Sequence, residues 1–590
     1  MSLWQSLMQL LDPASGREDE PFSLGDDDGA PAAEQEGASR LMADAQLRAE
    51  GIMTHIDNLL EAQGTGKKGL EQAGDLSVSL KENTERMKAT FRMPENMDLI
   101  VREITVATQP PTPAAVFFME GLADKTNLNR DILGPLMLLS HLDHHQDGEG
   151  DAGPTTFTIS TVVKRLLPGH QVTEKHDLEA ITDSLLSGDS VLFFEGSSTA
   201  LAVETKGFPM RSVGEPKTEK VIQGPHDAFV EAFRVNVSLV RRRLKDPRVI
   251  TKVLTVGQIS KTYVAVLWID GIATPKLVAE VKRRIEAVNV DIVGGAGILE
   301  QYIEDNPSSL LPGMLTTERP DRVAAYLSEG HVAVFVDNSP QALICPITFW
   351  SLLQTAEDYY LRFPFGSILR FVRMAALLVA LLVPALYIAV VNYHPEMIPT
   401  ELMLFVASTR ENVPLPAVVE LVLMDLAFEL IREAGTRIPS VIGSTIGLVA
   451  SLILGQAAVE AKIVSPLLIL IVALTGLASF AIPNYMTSFG VRSLRFMLVG
   501  AATVLGFYGV AAALFIMTVH LAAMQSFGVP FLSPVAPSRG GLSDVLGRGP
   551  LFRMEMRPGY THPLDRRRQG EIIRTWDPKA GPAAEKGGNS

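Results

Sequence analysis

A single cysteine, Cys345, stands among 590 residues, which excludes an intramolecular disulfide and suits a reducing compartment. Basic residues are in deficit: 52 Lys and Arg against 66 Asp and Glu leave a net charge of −14. The basic footprint of a nucleic-acid binder is therefore missing, and no nucleic-acid partner is expected. Residues 1–12 lack a basic n-region and a long apolar h-region, so no signal peptide is expected and the N-terminal half is expected to stay in the cytoplasm. No Ser/His/Asp or Cys/His set stands out, so an enzyme is not expected. Gly294-Gly-Ala-Gly297 follows a strand-like run but has Glu300 where a dinucleotide fingerprint needs its third glycine, and reads as a tight turn into a helix. Gly64-Thr-Gly66-Lys67 lacks the other P-loop residues, having Glu61 and Lys68 in their places. His141, His144, His145 and Asp147 have metal-compatible spacing but open a Gly/Asp-rich loop, so a solvated loop is the reading and no metal or cofactor is expected.

What is present is strongly partitioned. Hydrophobic residues make up 47% and charged residues 20%, yet charge concentrates before Arg373 and after Arg539. Residues 1–95 read as an acidic, largely disordered extension with short helices at 43–63 and 80–91, because the run 26–39 has too little apolar surface to offset ordering entropy. Residues 96–235 and 236–360 read as two soluble α/β or α+β subdomains. Strands are expected near 99–106, 191–195, 201–203, 264–269, 332–336 and 343–344, and helices over 227–245, 276–287 and 321–327. Gly188-Asp-Ser-Val-Leu-Phe193 aligns without gaps on Gly330-His-Val-Ala-Val-Phe335, which hints at an internal duplication; the alternative is two ordinary hairpins.

Residues 361–535 read as a transmembrane domain, and 536–590 as a basic cytoplasmic tail. Four runs, 374–393, 441–459, 464–483 and 496–519, are long and apolar enough to cross a bilayer core of roughly 30 Å. Gly443, Ser444, Gly447, Ser451 and Gly455 give the second run a small-residue stripe suited to close helix packing. Arg362, Arg370 and Arg373 before the first run, and the basic tail, place both ends on the cytoplasmic side. Four spans satisfy this, except that Arg492 and Arg495 then fall outside. The segment 413–434 is apolar but carries Glu420, Asp425, Glu429, Arg432 and Glu433, and charge at membrane depth faces a bundle interior, a partner or water. It reads as a re-entrant or interfacial segment lining a vestibule or pore; the alternative is an amphipathic helix on the outer surface. Gln456 and Glu460 could extend that polar path.

Glu215-Pro-Lys-Thr-Glu-Lys-Val-Ile-Gln-Gly-Pro-His-Asp-Ala-Phe-Val-Glu231, running into Asn236-Val-Ser-Leu-Val-Arg-Arg-Arg-Leu-Lys-Asp246, resembles the signature of the A subunit of spore germination receptors. The residues that carry it include Glu215, Pro216, Gly224, Pro225, Asn236, Arg241, Arg242 and Arg243. Asp270-Gly271, Asp305-Asn-Pro-Ser308 and Glu318-Arg-Pro-Asp321 resemble further landmarks. So do Leu415-Pro416, Glu429-Leu-Ile-Arg-Glu-Ala-Gly435, Ile442-Gly-Ser444, Gly455-Gln-Ala-Ala-Val-Glu-Ala461, Ser465-Pro466, Ala481-Ile-Pro483 and Ser526-Phe-Gly-Val-Pro530. The resemblance implies a subunit in the inner membrane of the spore that works with a transporter-like, nutrient-sensing B subunit and a C-subunit lipoprotein. It also implies a ring-shaped homo-oligomer, a pentamer, that conducts ions when nutrient binds. A sporulation accessory of the same type is not separated from a receptor subunit. Taken alone, Arg241–Arg243 would be a solvated helical face. Three functions compete: an oligomeric cation channel with Glu420, Asp425 and Glu429 on its path, a non-conducting signalling or scaffold subunit, and a stand-alone transporter.

Overall fold

The computed structural model describes residues 76–570 apart from 107–110, 139–161, 163–166, 168–170, 208–213, 438–454, 539–543 and 546. The expectations for residues 1–75, for His141, His144, His145 and Asp147, and for most of the run 441–459 with its small-residue stripe lie outside the described residues.

Two antiparallel five-stranded sheets follow each other in the chain. The first contains β1 (Leu99–Val106), β2 (Thr112–Met119), β3 (Val172–Lys175), β4 (Ser190–Phe194) and β5 (Ala200–Val203) in the order β1-β2-β4-β5-β3. The second contains β6 (Val249–Val256), β7 (Thr262–Ile269), β8 (Leu315–Thr317), β9 (Val332–Val336) and β10 (Ala342–Cys345) in the order β6-β7-β9-β10-β8. The orders are the same, element for element. Leu99 pairs with Met119 as Val249 pairs with Ile269. Gly188 before β4 and Gly330 before β9 both have positive φ, 96° and 92°. The segments that align in the sequence therefore occupy equivalent strands of two like-ordered sheets, as a duplication requires. The two strands, β4 and β9, are buried along their whole length because both faces are covered. In β7, Val264, Val266 and Trp268 enter one core while Ala265, Leu267 and Ile269 enter the other, the alternation that a pleated strand imposes.

Helices α1 (Leu80–Thr90), α2 (Leu178–Leu186), α3 (Phe233–Arg241), α4 (Pro275–Glu286), α5 (Ala296–Ile303) and α6 (Pro320–Leu327) cover the sheets. Proline opens α4 and α6, where its missing N–H costs nothing. The helix expected over 227–245 is shorter, because the Asn236 amide bonds both the N–H and the carbonyl of Val230 and holds the preceding residues as a loop. Gly294-Gly-Ala-Gly297 leads into α5 as a turn, although no strand precedes it.

The C-terminal region is helical: α7 (Phe363–Tyr393), α8 (Thr400–Arg410), α9 (Ala417–Arg437), α10 (Pro466–Phe480), α11 (Tyr485–Leu505) and α12 (Phe507–Ala523). Among the described residues, α7 and α11 are long and apolar enough to cross a membrane; α10 and α12 are shorter apolar helices. The run 496–519, expected as one span, is instead broken at Gly506, whose φ of 60° no helix tolerates. A hairpin results: Gly490 near the start of α11 lies against Leu310, and His520 and Met524 at the end of α12 meet Ser309. In the segment 413–434, residues 413–416 are loop, and from Ala417 on it is continuous helix that forms most of α9. The chain then returns to the second sheet, where Phe527 and Val529 fill one core and Phe531 the other.

Glu300 is buried in α5, with Glu304 nearby and Thr316 Oγ1 3.4 Å away as donor. Burial pushes its carboxyl up to about 7, reinforced by Glu304. A raised carboxyl stays protonated in the fold while the unfolded chain ionises, so stability falls as pH rises from the ordinary carboxylate range to about 7. Glu300→Gln should remove this loss, stabilising the detergent-solubilised protein by up to about 3 kcal/mol at pH 8 and little at pH 4. Urea midpoints at the two pH values check it.

Candidate functional site

The family-signature segment closes over α6 and the start of the helical region. Glu318 accepts from Lys217 N–H at 2.6 Å and from the Thr218 hydroxyl at 3.0 Å. Glu219 accepts from Thr317 Oγ1 at 2.5 Å and from Arg322 at 2.6 Å. Arg319 donates to the Pro225 carbonyl at 3.0 Å and to Asp321 at 2.7 Å. Gly224 has φ 124°, and a Cβ there would stand 2.7 Å from the Tyr360 ring, so glycine is required on two counts. Pro216 is buried, whereas Glu215 and Arg242 are exposed. Arg243 grips Asp227 with both oxygens at 2.6 Å.

Arg241 corrects the reading of a solvated face. It is 1% exposed and donates to Asp98 at 2.5 Å and to the Val249 carbonyl at 2.7 Å. Asp98 also accepts from Thr251. The entry to the first sheet is thereby bound to the first strand of the second.

A second cluster lies at the foot of α7. Asp358 is fully buried and meets Arg373 at 2.7 and 2.9 Å and Arg370 at 3.1 Å. Burial alone would raise its carboxyl, but the two guanidiniums outweigh that and hold it below its ordinary range. Asp544 takes Arg370 at 2.9 Å and the Tyr359 hydroxyl at 2.5 Å. Arg548 donates to the carbonyls of Asp358 and Leu361, both at 2.6 Å. Arg370 and Arg373, read from sequence as topology signals, are also structural counter-ions. Of the tail arginines, Arg557 donates to the Ser328 carbonyl at 2.8 Å and Arg568 to Glu329 at 3.0 Å. In the second-sheet core, away from the foot of α7, the Ser526–Pro530 landmark meets another landmark: Phe527 N–H donates to Asp305, and the Arg284 guanidinium stands 4.3 Å from the Phe527 ring.

The third cluster is the charge of α9. Glu420 and Asp425 are buried, at 0% and 2% exposure. Glu420 accepts from Ser465 N–H at 3.0 Å and stands 3.5 Å from Arg410. Asp425 lies 3.3 Å from Arg495, and Glu429 lies 3.3 Å from Arg492 and 3.5 Å from Arg432. Arg432 also donates to Ser479 at 3.2 Å and stacks 4.7 Å from Phe480. Glu433, by contrast, is exposed. Gln456 donates to Glu460 at 2.9 Å, both exposed, and neither is brought to the buried acids. Sequence reading missed the basic partners. Arg492 and Arg495 were the available signal: two arginines one turn apart at the edge of an apolar run need counter-charges, and Asp425 and Glu429 have matching spacing.

Asp358→Asn should leave Arg373 buried without a counter-ion and Arg370 with Asp544 alone, a change that costs about 3–5 kcal/mol in such pairs. The expected outcome is a lowered thermal midpoint together with faster hydrogen exchange across 355–373, measured on the detergent-solubilised chain.

The family described as Bacillus/Clostridium GerA spore germination protein matches residues 85–560. Spore germination protein KA of Bacillus subtilis (strain 168) is 37% identical over 513 residues, covering 87% of this chain and 91% of that protein. Spore germination protein GerLA of Bacillus cereus is 37% identical over 499 residues, covering 84% and 98%. The crystal structure of the N-terminal domain of the A subunit of the Bacillus megaterium spore germinant receptor GerK3 matches 47% of this chain and 98% of its own, at 28% identity and a TM-score of 0.35. With the family matched across both the sheets and the helical region, and relatives aligned over most of their length, the chain belongs to the spore germination receptor A-subunit family.

Proposed function

We propose that this chain is a multi-pass subunit of a germinant receptor in the spore inner membrane, acting as a homo-oligomeric, nutrient-gated cation channel. A transporter-like B subunit and a C-subunit lipoprotein complete the receptor. The observation that carries this reading is the buried charge of α9 inside an apolar helical bundle whose first helix is clamped to the α/β domain. Intramembrane charge of this kind marks pathways and moving parts.

Helix lengths and contacts support a six-pass arrangement. At 1.5 Å per residue, the 31 residues of α7 and the 21 each of α9 and α11 reach about 30 Å or more. Treating 413–434 as a full span makes five passes with the runs 374–393, 441–459, 464–483 and 496–519. The hairpin at Gly506 adds a sixth. Six passes restore the even number and put residues 525–570 on the side of the α/β domain, which they contact. Arg492 then belongs to the cytoplasmic half of α11 and Arg495 to its middle, so neither lies in an outer loop and the exception to the positive-inside rule disappears.

A second reading, a non-conducting signalling or scaffold subunit, is favoured by the pairing of the acids. Around Asp425 and Glu429 stand three guanidiniums, Arg432, Arg492 and Arg495, so this cluster is not an excess of negative charge awaiting cations. Its ion pairs are 3.3–3.5 Å long, looser than the 2.7 Å contact of Arg373 with Asp358, as suits a part that rearranges.

Cation flux from liposomes containing the chain with its B and C partners, with and without nutrient, separates the readings. For a channel with Glu429 on its path, Glu429→Gln lowers nutrient-dependent flux about tenfold or more, and adding Arg492→Gln does not restore it. If the pair is a latch, the double change recovers most of the flux that either single change loses. Absence of flux from an assembled, nutrient-binding complex supports the non-conducting subunit.

A further inference from the structure

We propose that a cavity of about 230 Å³ between α6, the foot of α7 and the C-terminal segment is a binding site for a small organic cation. The inference is independent of whether the assembly conducts. Its wall is built from three parts of the chain: Tyr326 on α6, Trp350 and Tyr359 before α7, and Asp544 and Tyr560 beyond α12, with Glu329 after α6. The volume suits a ligand of a few heavy atoms, smaller than a drug-sized occupant.

The chemistry of the wall selects charge of one sign. Aromatic faces attract cations through the ring quadrupole. Tyr359 already stands 5.6 Å from the Arg370 guanidinium and 5.5 Å from that of Arg548, and Tyr326 stands 6.0 Å from that of Arg322. Trp350 and Tyr560 offer further rings, the Trp350 N–H being satisfied by the Leu532 carbonyl at 3.2 Å. The guanidiniums in the wall are committed elsewhere: Arg322 to Glu219 at 2.6 Å and to the Ser351 and Gln354 carbonyls, and Arg568 to Glu329 at 3.0 Å. Carboxylates outnumber them in the wall, with Asp321, Glu329 and Asp544 against Arg322 and Arg568, each carboxylate having one arginine partner in Arg319, Arg568 and Arg370 respectively.

Glu329 lines the cavity while paired to Arg568 at 3.0 Å. Burial pushes its carboxyl up to about 7, with Asp544 acting in the same direction, although Arg568 and Arg557 pull it down. The Tyr359 hydroxyl is likewise driven upward, by burial first and then by Asp544, so it remains a donor and adds no charge. A cation in the cavity would favour the ionised carboxylate and bind more tightly as Glu329 ionises. Because the wall joins the domain, the foot of α7 and the C-terminal segment, an occupant would brace their junction.

The probe is tetramethylammonium chloride, titrated into the full chain in detergent micelles at pH 8, with sodium chloride at equal ionic strength and tert-butyl alcohol as a neutral isostere. The readouts are the thermal midpoint and tryptophan fluorescence. The expected result is a saturable rise in midpoint with tetramethylammonium and none with the two controls. Glu329→Gln and Trp350→Leu should each raise the apparent Kd at least about tenfold. Ala325→Trp, which adds bulk at the wall, should fold and abolish the response, and it decides the matter if either other variant fails to fold. No saturable rise in the unsubstituted protein, an equal rise with tert-butyl alcohol, or a rise unchanged in folded Ala325→Trp overturns the proposal.

Discussion

The structure depends on one buried carboxylate. Asp358 has no exposure to solvent, and its charge is compensated by Arg370 and Arg373, three residues apart and therefore on one face of α7. A buried ion of this kind is stable only while its partners stay in place. Arg548 reaches in from the C-terminal segment to the carbonyls of Asp358 and Leu361, and Asp544 takes the remaining reach of Arg370. The end of the α/β domain, the first long apolar helix and the returning C-terminal segment are thus tied at one point. A displacement of the domain cannot leave the foot of α7 behind without separating buried charges.

The family-signature segment extends this tie upward. Glu219 and Glu318 draw residues 215–230 onto β8 and α6, and Gly224 lies against Tyr360, two residues after Asp358. Arg241 carries the connection on to Asp98 and the first sheet. Against this well-bonded body, the charges of α9 form longer contacts within an apolar bundle. Asp425 Oδ2 and the Nε atoms of Arg492 and Arg495 lack hydrogen-bond partners within the described residues. Unpartnered buried atoms also occur at Arg241 Nη1, Arg370 Nη2 and Arg548 Nε, so it is the longer ion pairs that set the α9 cluster apart.

Much of the fold was legible because the pattern is local. Strands such as Val332–Val336 are continuous β-branched and aromatic runs, and the glycine before each duplicated strand is needed for its positive φ. Boundaries that rest on side-chain contacts were not legible. The loop before α3 depends on Asn236 bonding Val230, and the break at Gly506 sits inside an apolar run where one glycine gives no warning. Of the expected ion-path residues, Glu420, Asp425, Glu429 and Arg432 lie in the bundle, whereas Glu433, Gln456 and Glu460 are exposed.

The sequence by itself determined that an α/β portion precedes an apolar helical one, that the motifs are those of germination receptor A subunits, and that α9 carries costly charge. Each of these is a matter of composition, order or period along the chain. The tertiary structure alone decided which charge answers which. Arg241 with Asp98, Arg373 with Asp358, and Arg495 with Asp425 are separated by 143, 15 and 70 positions, with 495 minus 425 giving the last. Coulomb pairing in a low-dielectric interior selects by distance in space, and chain separation carries no trace of it.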